Sequence, residues 1–158
     1  VSNIYAAGAV NGKSFLAHSA SVQGVAVVDH IQGKGTPLNL SNHPLNIYTE
    51  PEMAHIGKSE EELKAAGIEY KISEYFFNAN GKALIEANNE GSVRLLHETR
   101  YNQVLGVQIV AANATDMISE AALLMELEGT VYDVARAVHA HPTVSEVFME
   151  AGNMGVDV

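Results

Sequence analysis

The sequence predicts an α+β fold: an antiparallel sheet with helices packed on it, spanning residues 43–158, after a shorter segment, 1–42, of different character. Three observations carry this expectation. Between Glu69 and Ala111 lie three β-rich runs separated by turn-forming clusters. From Met117 onward, apolar residues recur at helical spacing. Composition also changes near residue 42. Through Pro44 there are two lysines against one aspartate, net +1; beyond it seven basic residues face eighteen acidic ones, net −11.

In the first segment, Ile4-Tyr5-Ala6 reads as a short strand ending at Gly8. Phe15 to Ile31 reads as a helix, because Leu16, Ala20, Val27, Val28 and Ile31 recur at near-helical spacing. Gly33 to Pro44 is rich in turn formers and reads as a linker. A segment this short has no room for a core of its own and is expected to be the edge of something larger.

In the second segment, Ile47-Tyr48-Thr49 is a strand candidate before Pro51. Ser59-Glu60-Glu61-Glu62 is a capping box, opening a helix that stops at Gly67. The three β-rich runs are Glu69 to Phe77, Ser92 to His97 and Val104 to Ala111, an antiparallel meander. Asn80-Gly81-Lys82 reads as a turn. Met117, Ile118, Ala121, Leu124 and Met125 form one helical stripe, with Gly129 as a left-handed cap. Thr130 and Asp133 box the start of a helix through Val138, and a last helix is expected from Thr143 to about Gly152.

The whole chain has 158 residues, net charge −10, 47% hydrophobic residues and no cysteine. No disulfide framework, zinc–thiolate site or cysteine nucleophile is therefore available within it. Its acidity argues against general nucleic-acid binding, which needs clustered Lys and Arg. The most apolar stretch, Val22 to Val28, is far short of the roughly 20 residues that span a bilayer. The start lacks a charged leader region, so a cytoplasmic protein without membrane or nucleic-acid partners is expected. Gly12-Lys13-Ser14 ends like a P-loop, but the required upstream glycine would have to be Ala7.

Chemistry concentrates between Ala137 and Glu146. His139 and His141 share one side of an extended segment, a geometry for metal binding, but no Cys or Asp nearby completes a ligand set and no metal is expected. For Glu146 the spacing leaves two readings open. It caps the helix through the Thr143-to-Glu146 box, or it folds back onto His141 to orient that imidazole as a base.

His139-Ala140-His141-Pro142-Thr143-Val144-Ser145-Glu146 resembles the C-terminal signature of the dihydrolipoamide dehydrogenases, within the flavoprotein pyridine nucleotide-disulfide oxidoreductase family. Tyr48 to Glu52, Ile56 to Glu61, Gly67 to Lys71, Val104-Leu105-Gly106 and Glu120-Ala121-Ala122 resemble it in the same order. So do Asn3 to Gly8 and Leu16-Ala17-His18, similar to the strand and turn that close over that family's flavin. Glutathione-reductase relatives share the His-Pro-Thr core but usually lack the His-Ala before it.

The resemblance implies a dimerisation domain at 43–158, preceded by a stub of the FAD-binding domain at 1–42. It implies that His141 is the acid/base and Glu146 its orienter. His141 would deprotonate a dihydrolipoyl thiol, whose thiolate attacks a redox disulfide that passes electrons to FAD and then NAD. His139 would be structural. Gly8, Ala9, Leu16, Ala17, His18 and Pro142 would be cofactor contacts. A homodimer follows, with Leu123, Leu124, Leu127 and Val131 supplying apolar surface, and an acyltransferase subunit of a 2-oxoacid dehydrogenase complex as partner, its basic binding domain docking on the acidic face.

The chain departs from that pattern in lacking the redox cysteines, the first FAD glycine fingerprint and the NAD domain, and is expected to be a C-terminal part, inactive alone. Where the family has Gly-Asp, binding a ribityl hydroxyl, this chain has Gly8-Ala9. Losing such a bond costs about 1–3 kcal/mol, so no FAD is expected on this chain by itself. The alternatives are a stand-alone dimerisation or binding module without catalysis, or a related flavoprotein disulfide reductase.

Overall fold

A computed structural model describes residues 1–35 and 38–156. The chain forms two compact units, Val1–His43 and Pro44–Val158.

The first unit is built on α1 (Ala17–Ile31), which follows a 3₁₀ turn at Ala9–Asn11. Ile4-Tyr5-Ala6 is not a strand: among the described residues of this unit no second strand offers it ladder hydrogen bonds. The buried side of α1 is polar, Ser19 and Gln23, while Val25, Val28 and Ile31 of the predicted apolar helix are exposed. Gln23 ties the unit together, its Oε1 accepting from the Gly8 backbone N–H and from Asn11 Nδ2, both at 2.7 Å. Part of the expected linker, residues 36 and 37, lies outside the described residues. Beyond it Asn39 caps a 3₁₀ turn at Leu40–Asn42.

The second unit holds a five-stranded, wholly antiparallel sheet in the order β1-β2-β5-β4-β3. The strands are β1 (Leu45–Ile47), β2 (Glu52–Gly57), β3 (Tyr70–Phe76), β4 (Ser92–Glu98) and β5 (Val104–Ala111). The last three are the predicted meander. β1 lies earlier than expected, with Tyr48 and Thr49 in the turn before the cis Glu50–Pro51 bond. β2 has no counterpart in the sequence reading, although it sits inside the sheet. Its pattern is period two, Ala54 and Ile56 inward against Met53 and His55, but Ala and Glu are weak strand formers and obscure it.

Between the strands run α2 (Glu60–Ala65) and α3 (Gly81–Ile85), and after β5 come α4 (Ala114–Glu126), α5 (Val131–Arg136) and α6 (Glu146–Gly155). α4 crosses β2 and β5, α6 crosses β3 and β4, and α5 packs on α6. The core between them contains Ile56, Leu95, Val107, Ile109, Ile118 and Phe148, each at most 1% exposed. Burying each such side chain contributes about 1.5–3 kcal/mol. At Gly152 a Cβ would meet the Ala135 backbone nitrogen at 2.7 Å, so α5 and α6 approach closely only because glycine stands there.

Local signals were of mixed value. Both capping boxes form, Ser59 with Glu62 and Thr130 with Asp133. Asn80-Gly81-Lys82 is no mere turn: Asn80 caps α3 through the Ala83 N–H at 2.9 Å, and Gly81 and Lys82 begin that helix. Gly129 is not the left-handed residue after α4. Glu128 takes that conformation, φ 54°, and Gly129 is required instead because a Cβ would run into Leu124. α5 ends at Arg136 rather than Val138. Of the residues expected at an interface, Val131 is wholly buried and Leu124 packs on the core, leaving Leu123 and Leu127 exposed.

Candidate acid–base site

The segment between α5 and α6 holds His139, His141 and Pro142. Ala137 leaves α5 in an extended conformation, and the His141–Pro142 bond is cis. α6 is seated by Val147, Phe148 and Ala151, all at most 1% exposed. Glu146, its first residue, is therefore held one position from a core anchor.

The Glu146 carboxylate serves two partners. Oε1 lies 2.8 Å from His141 Nδ1, and Oε2 accepts the Thr143 backbone N–H at 2.9 Å. The two sequence readings of Glu146 thus coexist, one oxygen each. The reciprocal half of the expected box is absent: the residue before α6 is Ser145, which makes no side-chain cap bond, and the Thr143 hydroxyl donates to the Ala140 carbonyl at 2.6 Å. The Thr143 N–H, then the His141 ring, hold the Glu146 carboxyl below its ordinary range, so it stays ionised.

An ionised carboxylate accepts only, so His141 presents Nδ1–H to it and keeps the lone pair on Nε2. Nε2 makes no hydrogen bond among the described residues, and the His141 side chain is 78% exposed against 18% for Glu146. A reachable base nitrogen behind a fixed carboxylate can accept a proton and stabilise the imidazolium that results.

His139 is placed differently. Its side chain is 8% exposed, with Nε2 2.7 Å from Glu120 Oε1 and Nδ1 2.9 Å from the Ala137 carbonyl. Both nitrogens already face protein oxygens. Sequence reasoning assigned no role to Glu120 or to Asn80, whose Nδ2 donates to the Thr143 carbonyl at 3.1 Å. Spacing held no signal for either, since they stand 19 and 63 residues from their partners.

Pro142, exposed, adjoins His141. The other expected cofactor residues belong to the first unit. Gly8 has φ 82°, Ala9 opens the 3₁₀ turn, Leu16 precedes α1, and Ala17 and His18 form its first turn.

Residues 43–152 match the family model described as "Pyridine nucleotide-disulphide oxidoreductase, dimerisation domain". The mitochondrial dihydrolipoyl dehydrogenase of Canis lupus familiaris is 43% identical over 151 residues, 96% of this chain and 30% of that protein. A leghemoglobin reductase of Vigna unguiculata is also 43% identical, over 96% of this chain and 29% of its own length. LpdA from Mycobacterium tuberculosis superimposes with TM-score 0.91 at 26% identity, covering 98% of this chain and 34% of that structure. The flavoprotein disulfide reductase RclA of Escherichia coli shares the fold, with TM-score 0.88 at 19% identity over 96% of this chain and 35% of that one. This chain spans about 30% of the length of the curated relatives it matches. With the family model covering most of its length, the chain belongs to the pyridine nucleotide-disulphide oxidoreductases, as their dimerisation domain.

Proposed function

We propose that this chain is the C-terminal part of a dihydrolipoyl dehydrogenase, supplying the homodimer contact and, through His141 and Glu146, the acid/base pair. The observation that carries the reading is the exposed His141 ring with Nδ1 on an ionised carboxylate and Nε2 open. Nε2 takes the proton of a dihydrolipoyl S–H, Glu146 steadies the imidazolium, and the sulfur leaves as the thiolate that can attack a disulfide. The names of the relatives support that substrate class. The chain has no cysteine, so the disulfide must come from other polypeptide and turnover by these 158 residues alone is not expected.

FAD and NAD, which would carry the electrons onward, are proposed for the complete enzyme. The first unit fits the flavin poorly. The Gly8 N–H is already given to Gln23, and the Ala9 methyl offers no acceptor to a sugar-chain hydroxyl. Leu16 makes no side-chain cap, leaving the α1 N-terminus with Ala17 and His18 as an electropositive edge, but that supplies only part of the contact set. Gly8, Ala9, Leu16, Ala17 and His18 would meet a flavin only in company with further polypeptide, and Pro142 would approach the flavin of the other subunit.

The proposed partner is an acyltransferase subunit meeting the acidic second segment, and salt-insensitive binding would count against it. No helix among the described residues is long and apolar enough to cross a membrane. The proposed compartment is the cytoplasm; several relatives carry "mitochondrial" in their names, and fractionation separates the two.

His141→Gln in a complete parent enzyme tests the base assignment. The expected loss in kcat is about 10²–10⁴-fold, and a near wild-type rate overturns it. A second reading, a dimerisation module without catalysis, is favoured by the lack of cysteine and predicts that the parent rate is indifferent to His141. Measurable dihydrolipoamide–NAD turnover by the isolated chain would overturn the proposed division of labour.

A further inference from the structure

The segment that presents His141 has no regular secondary structure, and among the described residues the ring has one hydrogen bond, to Glu146. Something else must fix where that ring stands. Two side chains from distant elements grip the segment on either side of it. Upstream, Glu120 of α4 takes the Nε2 side of the His139 ring at 2.7 Å, and α4 is seated by Ala114, Ile118 and Ala121, all at most 1% exposed. Downstream, Asn80, itself 5% exposed, spends its oxygen on the α3 cap and its Nδ2 on the Thr143 carbonyl. The Thr143 hydroxyl then closes the turn onto the Ala140 carbonyl.

His139 and His141 are separated by one residue, so their Cα atoms are at most about 7 Å apart. Fixing one ring constrains the path of the other. Their exposures divide accordingly, 8% for the His139 side chain and 78% for His141. The Nδ1 contact of His139 with the Ala137 carbonyl fixes the orientation of its ring as well as its place. A ring carrying one N–H can fill one of these two acceptor contacts, and a ring carrying two can fill both.

We propose that Glu120 and His139 form a positioning clamp, seconded by Asn80, that aims His141 at Glu146. The clamp touches no substrate; it acts through the position of His141. The inference rests on the His141–Glu146 reading, and the test separates the two.

The probe is the nitrogen spectrum of the His141 ring in the ¹⁵N-labelled 158-residue chain, at about pH 8.5, which reports the ratio of Nδ1–H to Nε2–H tautomers. Glu120→Ala and His139→Ala should each lower the Nδ1–H:Nε2–H ratio roughly threefold. Glu120→Gln, whose amide oxygen can still accept from Nε2–H, should restore most of it. Glu146→Gln serves as the reference, removing the carboxylate that sets the preference. Circular dichroism confirms that each variant is folded, and both clamp residues lie outside the core. If Glu146→Gln shifts the ratio while Glu120→Ala and His139→Ala do not, the clamp is overturned and the acid/base pair stands. If Glu146→Gln itself leaves the ratio unchanged, the pair falls and the clamp with it.

Discussion

His141 Nδ1 lies 2.8 Å from Glu146 Oε1, while the second oxygen of that carboxylate holds the Thr143 N–H at 2.9 Å. One side chain thus holds both the turn that precedes α6 and the His141 ring. The division has a measurable consequence, because the two contacts depress the carboxyl unequally, Thr143 first and His141 second. A ¹³C titration of the Glu146 carboxyl should give a midpoint below the ordinary 4.5. In His141→Gln it should rise only part of the way back. A full return would mean that the ring, rather than the backbone, dominates.

The sign of the pH effect follows from the same depression. A carboxyl with a lower pKa folded than unfolded adds stability above its unfolded value and loses it as pH falls through the folded one. Glu60 is the strongest case, held down to about 2 by Arg94 first and the Tyr70 hydroxyl second. Its contribution should fade between about pH 4.5 and 2. Arg94→Gln should raise the Glu60 midpoint more than Lys64→Gln, since the Arg94 contact is 2.6 Å and the Lys64 contact 3.4 Å. Equal shifts in the two variants would contradict that order.

The capping boxes and the meander were legible because their signals are local: a hydroxyl three residues before a carboxylate, or alternation within seven residues. β2 was lost because its inward residues are Ala54 and Ile56, and alanine marks no period. Ile4-Tyr5-Ala6 failed for the opposite reason, since an apolar triplet forms a strand only beside another strand. The His141–Glu146 pairing was within reach of spacing and of the family signature together. Neither Glu120 nor Asn80 was, because each meets its partner across 19 and 63 residues of chain, respectively.

The end of α4 offers a test in which two neighbouring residues respond oppositely. Glu128 occupies the left-handed region at φ 54°, which costs a residue with a Cβ about 1–2 kcal/mol. Glu128→Gly should therefore stabilise the chain by up to about 1 kcal/mol after glycine's own entropic cost. Gly129→Ala should destabilise it, since the added methyl meets Leu124. Urea midpoints measure both. A destabilised Glu128→Gly with a neutral Gly129→Ala would return the left-handed role to Gly129.

The proposed homodimer narrows to particular residues once burial is known. Val131 is wholly enclosed and so unavailable to a second copy, and Leu124 is half-buried against the core, whereas Leu123 and Leu127 are 64% and 72% exposed. They lie four residues apart on α4 and just beyond it, a spacing that puts two apolar side chains on one helical face. If that face meets its symmetry mate, each substitution is felt twice per dimer. Leu127→Glu would set two carboxylates in an apolar contact, weakening self-association by at least about tenfold. Sedimentation equilibrium on the 158-residue chain reads this directly. Leu124→Ala, by contrast, should lower the unfolding midpoint while leaving the association constant nearly unchanged. A dimer that tolerates Leu127→Glu would place the contact elsewhere on the chain.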